Sequence, residues 1–172
     1  MRRLMMLVCS VCAMAAPLWA DQPTVRVAPL HLEGPRELND QTKSAVIRDY
    51  LQAWQSMSNA LSQNNPALLD RDFVGTAKDK LTGTVHDQVT TGISTRYLDK
   101  SHNLQITFYS PEGLSVQLVD NVEYEVQVID HGKTQAVQTA HARYVVVMTP
   151  AEVRWRVRVF QGQPDQQIGK AN

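Results

Sequence analysis

The chain has 172 residues, of which 43% are hydrophobic and 20% charged, with 17 Lys and Arg against 17 Asp and Glu. That length suits one domain with one core, and the apolar share excludes both global disorder and a polytopic membrane protein. A formal net charge of +0 removes any bulk electrostatic case for nucleic acid.

Residues 1–20 read as a signal peptide. Arg2 and Arg3 form a basic start, an apolar run extends from Leu4 to Leu18, and Ala20 precedes the expected cleavage point. The run is near the ~7–15 residues of a secretory signal and short of the ~20 that span a bilayer. Leu18-Trp19-Ala20 is an imperfect small-x-small site, so cleavage after Ala15 or Ala16 is a second option. An uncleaved N-terminal anchor is the plain alternative. The pair of arginines also fits twin-arginine export, but Leu4-Met5-Met6 does not continue that motif. The expected location is the periplasm or the cell exterior, with no membrane span after cleavage. Cys9 and Cys12 both lie in this segment, each behind a valine rather than the small residue of a lipoprotein site. The rest of the chain has no disulfide, thiolate nucleophile or cysteine metal ligand.

Residues 21–38 read as a linker or edge segment. Val25, Val27, Leu30 and Leu32 stand among Pro23, Pro29 and Pro35, which leaves room for an edge strand only over Thr24 to Ala28. Asn39-Asp40 offers side-chain acceptors to a helix start. The stripe Val46, Ile47, Tyr50, Leu51, Trp54, Met57, Ala60 and Leu61 has helical spacing, with Asp49, Gln52, Gln55 and Ser58 off it. Asn64-Asn65-Pro66 ends that helix, and Pro66 opens a short second one with Leu68 and Leu69. A third helix, capped near Thr76, carries Leu81, Val85, Val89 and Ile93, although Gly83 and Gly92 weaken it. Ser94 to His102 reads as a connector.

From Asn103 to Phe160 apolar and polar residues alternate, as an antiparallel meander with one wet face requires. The first run holds Leu104, Ile106 and Phe108, and the second Leu114, Val116, Leu118, Val122, Tyr124, Val126 and Val128. The third holds Ala140, Ala142, Tyr144, Val146 and Met148, and the fourth Val153, Trp155, Val157 and Val159. Asp130-His131-Gly132-Lys133 is a tight turn, and Gln161 to Asn172 reads as a polar tail, with residues 163–172 outside the domain. The expected fold class is α+β: N-terminal helices on one face of a curved four-stranded antiparallel sheet, forming a cone-like, cystatin-type roll over residues 39–162.

Three helices leading into a meander, with Tyr50-Leu51-x-x-Trp54 on the first helix and Val153-Arg154-Trp155-Arg156-Val157 on the last strand, resemble the nuclear transport factor 2-like superfamily. The resemblance covers roughly Thr42 to Gly162 and is one of topology. It implies a cone between sheet and helices. Relatives of this type include ketosteroid-isomerase-like and SnoaL-like enzymes as well as non-catalytic association domains, among them periplasmic domains of secretion machines and the intermembrane-space domain of plastid division proteins. The fold therefore leaves function open.

Within that cone, an enzyme would need a carboxylate and a hydroxyl donor. The inward set by parity is Phe108, Tyr124, Tyr144 and Trp155, faced by Tyr50 and Trp54 from the helix, with Asp120 the one carboxylate sharing that parity. The pocket candidates are therefore Tyr50, Trp54, Asp120, Tyr124, Tyr144 and Trp155. The plain reading of each tyrosine is packing with a local hydrogen bond, and Asp120 beside Asn121 reads as a strand bulge. No catalytic partner is matched, so no catalytic residue is assigned. His31, His86, His102, His131 and His141 lack metal-ligand spacing and read as surface histidines, so neither a metal nor a cofactor is expected.

The outer face should carry Glu123 and Glu125 beside Arg143, Arg154, Arg156 and Arg158. A solvated charge ladder is the simple account, and a docking face for a homodimer or an unknown protein partner is the functional one. The sequence thus supports an exported, non-enzymatic domain for protein association or small-ligand binding. The alternative is an isomerase, dehydratase or cyclase using the cone.

Overall fold

A computed structural model describes residues 22–30, 32, 34 and 36–164. The expected signal peptide with Cys9 and Cys12, His31, and residues 165–172 of the expected tail lie outside the described residues. The described elements are β1 (Thr24–Val27), α1 (Asp40–Gln63), a 3-10 turn (Pro66–Leu69), α2 (Gly75–Thr91), β2 (Ile93–Tyr109), β3 (Val116–Asp130), β4 (Lys133–Pro150) and β5 (Trp155–Pro164).

Asn39 starts α1 by accepting the Thr42 N–H at 2.8 Å, and Asn64 ends it in the left-handed region at φ 51°. Val46, Tyr50, Ala53, Trp54, Met57, Ala60 and Leu61 form its buried stripe. Asp49, expected off the stripe, is buried on it, because it accepts the Trp155 N–H at 2.8 Å. The second expected helix is the 3-10 turn, so the described residues hold two α-helices rather than three. Thr76 does not cap α2. Its hydroxyl donates to the Arg158 carbonyl at 3.1 Å, and Val74 occupies the cap position. Gly92 closes α2 at φ 72°, which moves Ile93 out of the helix and into β2.

The sheet is curved and unclosed and has five strands, not four, in the order β1-β2-β3-β4-β5. The fifth is the edge strand, β1, which pairs in parallel with β2 from Ser101 to Leu104. β2 also absorbs Ser94 to His102, the stretch expected as a connector, through pairs running from Ile93↔Asp130 to Asp99↔Tyr124. At the other end β5 continues past Gly162, because Gln163 pairs with Arg143 and Pro164 with Ala142. The β3–β4 turn is a two-residue loop with φ 45° at His131 and 76° at Gly132, the sign that matches strand twist.

Four register shifts interrupt the sheet, one of them beside the β3–β4 turn at Val128/Ile129, and the other three decide which side chains enter the core. Lys100 is left over between Asp99↔Tyr124 and Ser101↔Glu123, and Thr107 between Ile106↔Leu118 and Phe108↔Gln117. Arg158 is left over between Met148↔Val157 and Val147↔Val159. Each extra residue flips the side-chain parity beyond it. Phe108, expected inward, therefore pairs with outward Gln117, and Tyr109 is buried in its place. Val159 likewise turns outward beside Val147, and Phe160 packs against the core instead. Val153 and Leu114 precede their strands and are exposed.

Candidate functional site

The inner face brings together five polar side chains from three elements. Tyr50 and Trp54 come from α1, Asp99 and His102 from β2, and Asp120 from β3. Tyr50 and Trp54 are one helical turn apart on the buried stripe. Asp99 and His102 share a face at a spacing of three because Lys100 is bulged between them. Asp120 keeps regular pairing with Leu104 and Tyr144. It marks no bulge, contrary to the sequence reading.

Asp120 is the centre of the cluster. Its Oδ2 accepts the Tyr50 hydroxyl at 2.7 Å and lies 2.6 Å from His102 Nδ1. Its Oδ1 is buried without a hydrogen-bond partner among the described residues. On the other side of the imidazole, His102 Nε2 is 3.9 Å from Asp99 Oδ2, and Trp54 Nε1 donates to Asp99 Oδ1 at 2.5 Å. Burial alone would lower the basicity of His102. Hydrogen bonds and charge from Asp120 and Asp99 outweigh it and push the pKa up to about 9. His102 is thus held as an imidazolium, with Nδ1–H donating to Asp120 and Nε2 facing the Asp99 carboxylate across 3.9 Å. Burial and then Asp120 hold the Tyr50 hydroxyl protonated well above its ordinary value.

Aromatic rings close this cluster. Trp54 sits 5.1 Å from His102, 5.3 Å from Tyr144, 5.8 Å from Phe160 and 6.0 Å from Tyr124. Tyr144 stacks on Phe160 at 4.6 Å, and Tyr97 lies 5.1 Å from Tyr124. Burial, then Tyr124, raises the Tyr144 hydroxyl, and the same two causes push Tyr97 to about 12. Of the six inward candidates, Tyr50, Trp54, Asp120, Tyr124 and Tyr144 meet here. Trp155 does not. It packs against Tyr109 at 6.5 Å, with its N–H on Asp49.

Sequence reasoning missed His102 and Asp99. His86, His131 and His141 are exposed, but His102 is 1% exposed and belongs to the interior. The alternation Thr95, Tyr97, Asp99, continued one residue out of step by His102, Leu104 and Ile106, is the signal that would have found both. Among the described residues no cluster of His, Cys, Asp or Glu is placed to hold a metal ion, and no helix is long and apolar enough to cross a membrane.

The outer-face candidates divide. Glu123 and Glu125 lie half-buried on β3, with Lys100 Nζ 4.0 Å from Glu123 and Gln127 donating to Glu125 at 2.9 Å. Arg143 is exposed on β4, and Arg158 is exposed in the β5 bulge. Arg154 and Arg156 are engaged elsewhere. Arg154 Nη1 is 3.2 Å from Asp72, and Arg156 donates to the carbonyls of Asp70 and Phe73. Together with the backbone bonds between Val157 and residues 72–74, they clamp the start of α2 over the outer edge of β5.

No protein-family model and no curated protein matches the chain. Solved structures do. The intermembrane space region of the chloroplast protein ARC6 is 14% identical, with 76% of this chain and 99% of that one covered at a TM-score of 0.61. A putative scytalone dehydratase from Novosphingobium aromaticivorans is 15% identical, with 78% and 100% covered at 0.53. A hexachlorocyclohexane dehydrochlorinase, LinA-type3, from Novosphingobium barchaimii is 11% identical, with 74% and 91% covered at 0.53. At such identities the likeness is one of architecture, and that architecture is the nuclear transport factor 2-like fold.

Proposed function

We propose that the chain is an exported, non-enzymatic association domain that meets its partner on the outer face of the sheet. One observation carries this reading: the interior between the helices and the curved sheet, where we place the cone of a cystatin-type roll, is filled. Tyr50 and Asp120 are 0% exposed and Trp54 and His102 1%, whereas a catalytic pocket must admit and bury a substrate. The fold itself does not choose, since its neighbours include enzymes and non-enzymes. In this chain the polar cluster holds α1 to the sheet, leaving the outer face for binding.

That face has the anatomy of a specific interface. Val119 points outward yet is only 4% exposed and lies outside the main core cluster. Val145 pairs directly with it, and Val147 and Val159 form the neighbouring pair. Gln105, Asn121, Arg143, Glu123 and Glu125 surround this apolar centre with polar groups of both signs. The partner is a second copy or another protein, and the basic-apolar leader supports its being met outside the cytoplasm. Native mass spectrometry of protein purified from its own host tests the reading. A dimer or a heteromeric mass is expected, lost in Val145→Glu with unchanged circular dichroism. A bare monomer, or an assembly indifferent to Val145→Glu, would overturn it.

A second reading, an isomerase, dehydratase or cyclase, is favoured by one feature. Asp120 faces a tyrosine hydroxyl and an imidazolium while its Oδ1 stays unpartnered, as a proton-transfer group awaiting a substrate would. It requires the ring wall of Trp54, Tyr144 and Phe160 to open. A small molecule retained in the same mass spectrum would support this second reading.

A further inference from the structure

A pocket of about 340 Å³ opens where three parts of the fold converge. Arg48, Asp49 and Gln52 come from α1, Arg71 from the segment before α2, and Val153 and Arg154 from the turn before β5. Behind the pocket sits Asp72, 1% exposed.

The two carboxylates are committed to the fold. Asp49 Oδ2 accepts the Trp155 N–H at 2.8 Å, and Asp72 Oδ2 accepts the Ser56 hydroxyl at 2.5 Å. Each guanidinium is then gripped along one edge only. Arg48 places Nε and Nη2 on Asp49 Oδ1 at 3.0 and 2.9 Å. Arg71 sets Nε at 3.2 Å from both oxygens of Asp72, and Arg154 Nη1 is 3.2 Å from Asp72 Oδ1. Arg48 Nη1, both Nη groups of Arg71 and Arg154 Nη2 make no hydrogen bond among the described residues. Three cations against two carboxylates leave positive charge in excess at the opening.

Arg154 is accounted for structurally, since it neutralises a buried carboxylate and ties the β5 turn to the helices. Arg48 and Arg71 are not. Their side chains are 69% and 53% exposed, and exposed ion pairs of this kind contribute little to stability. Their effect is instead to hold unused donor forks around one cavity. A guanidinium fork matches the spacing of carboxylate and phosphate oxygens, and donors held in advance lose less entropy on binding. Gln52 adds an amide, and Val153, 80% exposed, gives the rim an apolar lip.

We infer that this pocket binds a small multivalent oxyanion, a phosphate or a polycarboxylate, through Arg48, Arg71 and Arg154. The site lies away from the outer sheet face and does not depend on the association reading. Isothermal titration of the full chain with inorganic phosphate and, separately, with citrate, in chloride buffer of matched ionic strength, tests it. Saturable sub-millimolar binding is expected for at least one ion. It should weaken roughly tenfold or more in Arg48→Gln/Arg71→Gln, which removes two charge-assisted forks from the exposed wall. The single variants Arg48→Lys and Arg71→Lys keep the charge and should weaken binding less, a comparison that stands even if the double variant misfolds. A preference for citrate identifies an organic polycarboxylate, and a preference for phosphate a phosphate group. Heats that match chloride, or affinity unchanged across all three variants, would overturn the inference.

Discussion

Replacing Asp120 with Asn keeps the shape of the buried cluster and removes its central charge. In the wild type the folded-state pKa of His102 is pushed from 6.5 up to about 9. A group whose folded pKa is raised stabilises fully below its unfolded pKa, and that stabilisation fades as pH climbs through the folded one. The window is therefore pH 6.5 to 9, and the shift corresponds to about 3 kcal/mol of differential stability at 1.36 kcal/mol per unit. The Asp120→Asn variant should lose most of this pH dependence, because Asp99, at 3.9 Å, is the weaker partner. At pH 6 it should also be less stable by about 1.5–3 kcal/mol, the range for a hydrogen bond to a charged group. Urea unfolding at pH 6.0, 7.5 and 9.5 measures both effects, with Trp54 as the fluorescent reporter 5.1 Å from the imidazole. Stopping at pH 9.5 keeps the measurement below the ordinary tyrosine pKa of about 10, so Tyr50, Tyr97 and Tyr144 each contribute only about 0.2 kcal/mol. Wild-type stability that stays flat between pH 6 and 9.5, or a slope unchanged in Asp120→Asn, would refute the imidazolium between two carboxylates.

Asp72→Ala strips the acceptor from Ser56, Arg71 and Arg154 and should cost about 3 kcal/mol, the low end for breaking a buried ion pair. Asp70→Ala, whose side chain is 61% exposed, should change the urea midpoint very little by comparison. Two glycine substitutions should act with opposite signs in thermal melts. Gly113→Ala puts a Cβ 2.8 Å from Arg36 Nη1 at φ 77° and should destabilise by about 1–3 kcal/mol. Gly83→Ala meets nothing within 4 Å inside α2 and should stabilise by about 0.5–1 kcal/mol.

The candidate site was only partly legible. Tyr50 and Trp54 could be read because a helix repeats with one period from end to end, so Asn39 and the Val46–Leu61 stripe fix which residues face inward. Asp120, Tyr124 and Tyr144 could be read because β3 and β4 pair without slipping from Val116 to Val128. His102 and Asp99 were missed, since the bulge at Lys100 puts their alternation one residue out of step just where the strand looked like a connector. Arg154 and Arg156 carried the right alternation for an outer ladder, but alternation does not say that residues 70–73 come back to meet them.

The amino-acid order alone determined the α+β class, the long first helix, the β3–β4 turn and the inward face of the regular strand stretches. Each follows from a local rule, a period or a turn chemistry, that needs no distant partner. Tertiary structure decided the remainder: the parallel edge strand, the register shifts, the imidazolium beside Asp99 and Asp120, and the three guanidinium groups around one pocket. Those features arise where segments far apart in the chain compete for the same hydrogen bonds and the same buried space. Which segment prevails depends on the whole packed arrangement, not on any short stretch of sequence.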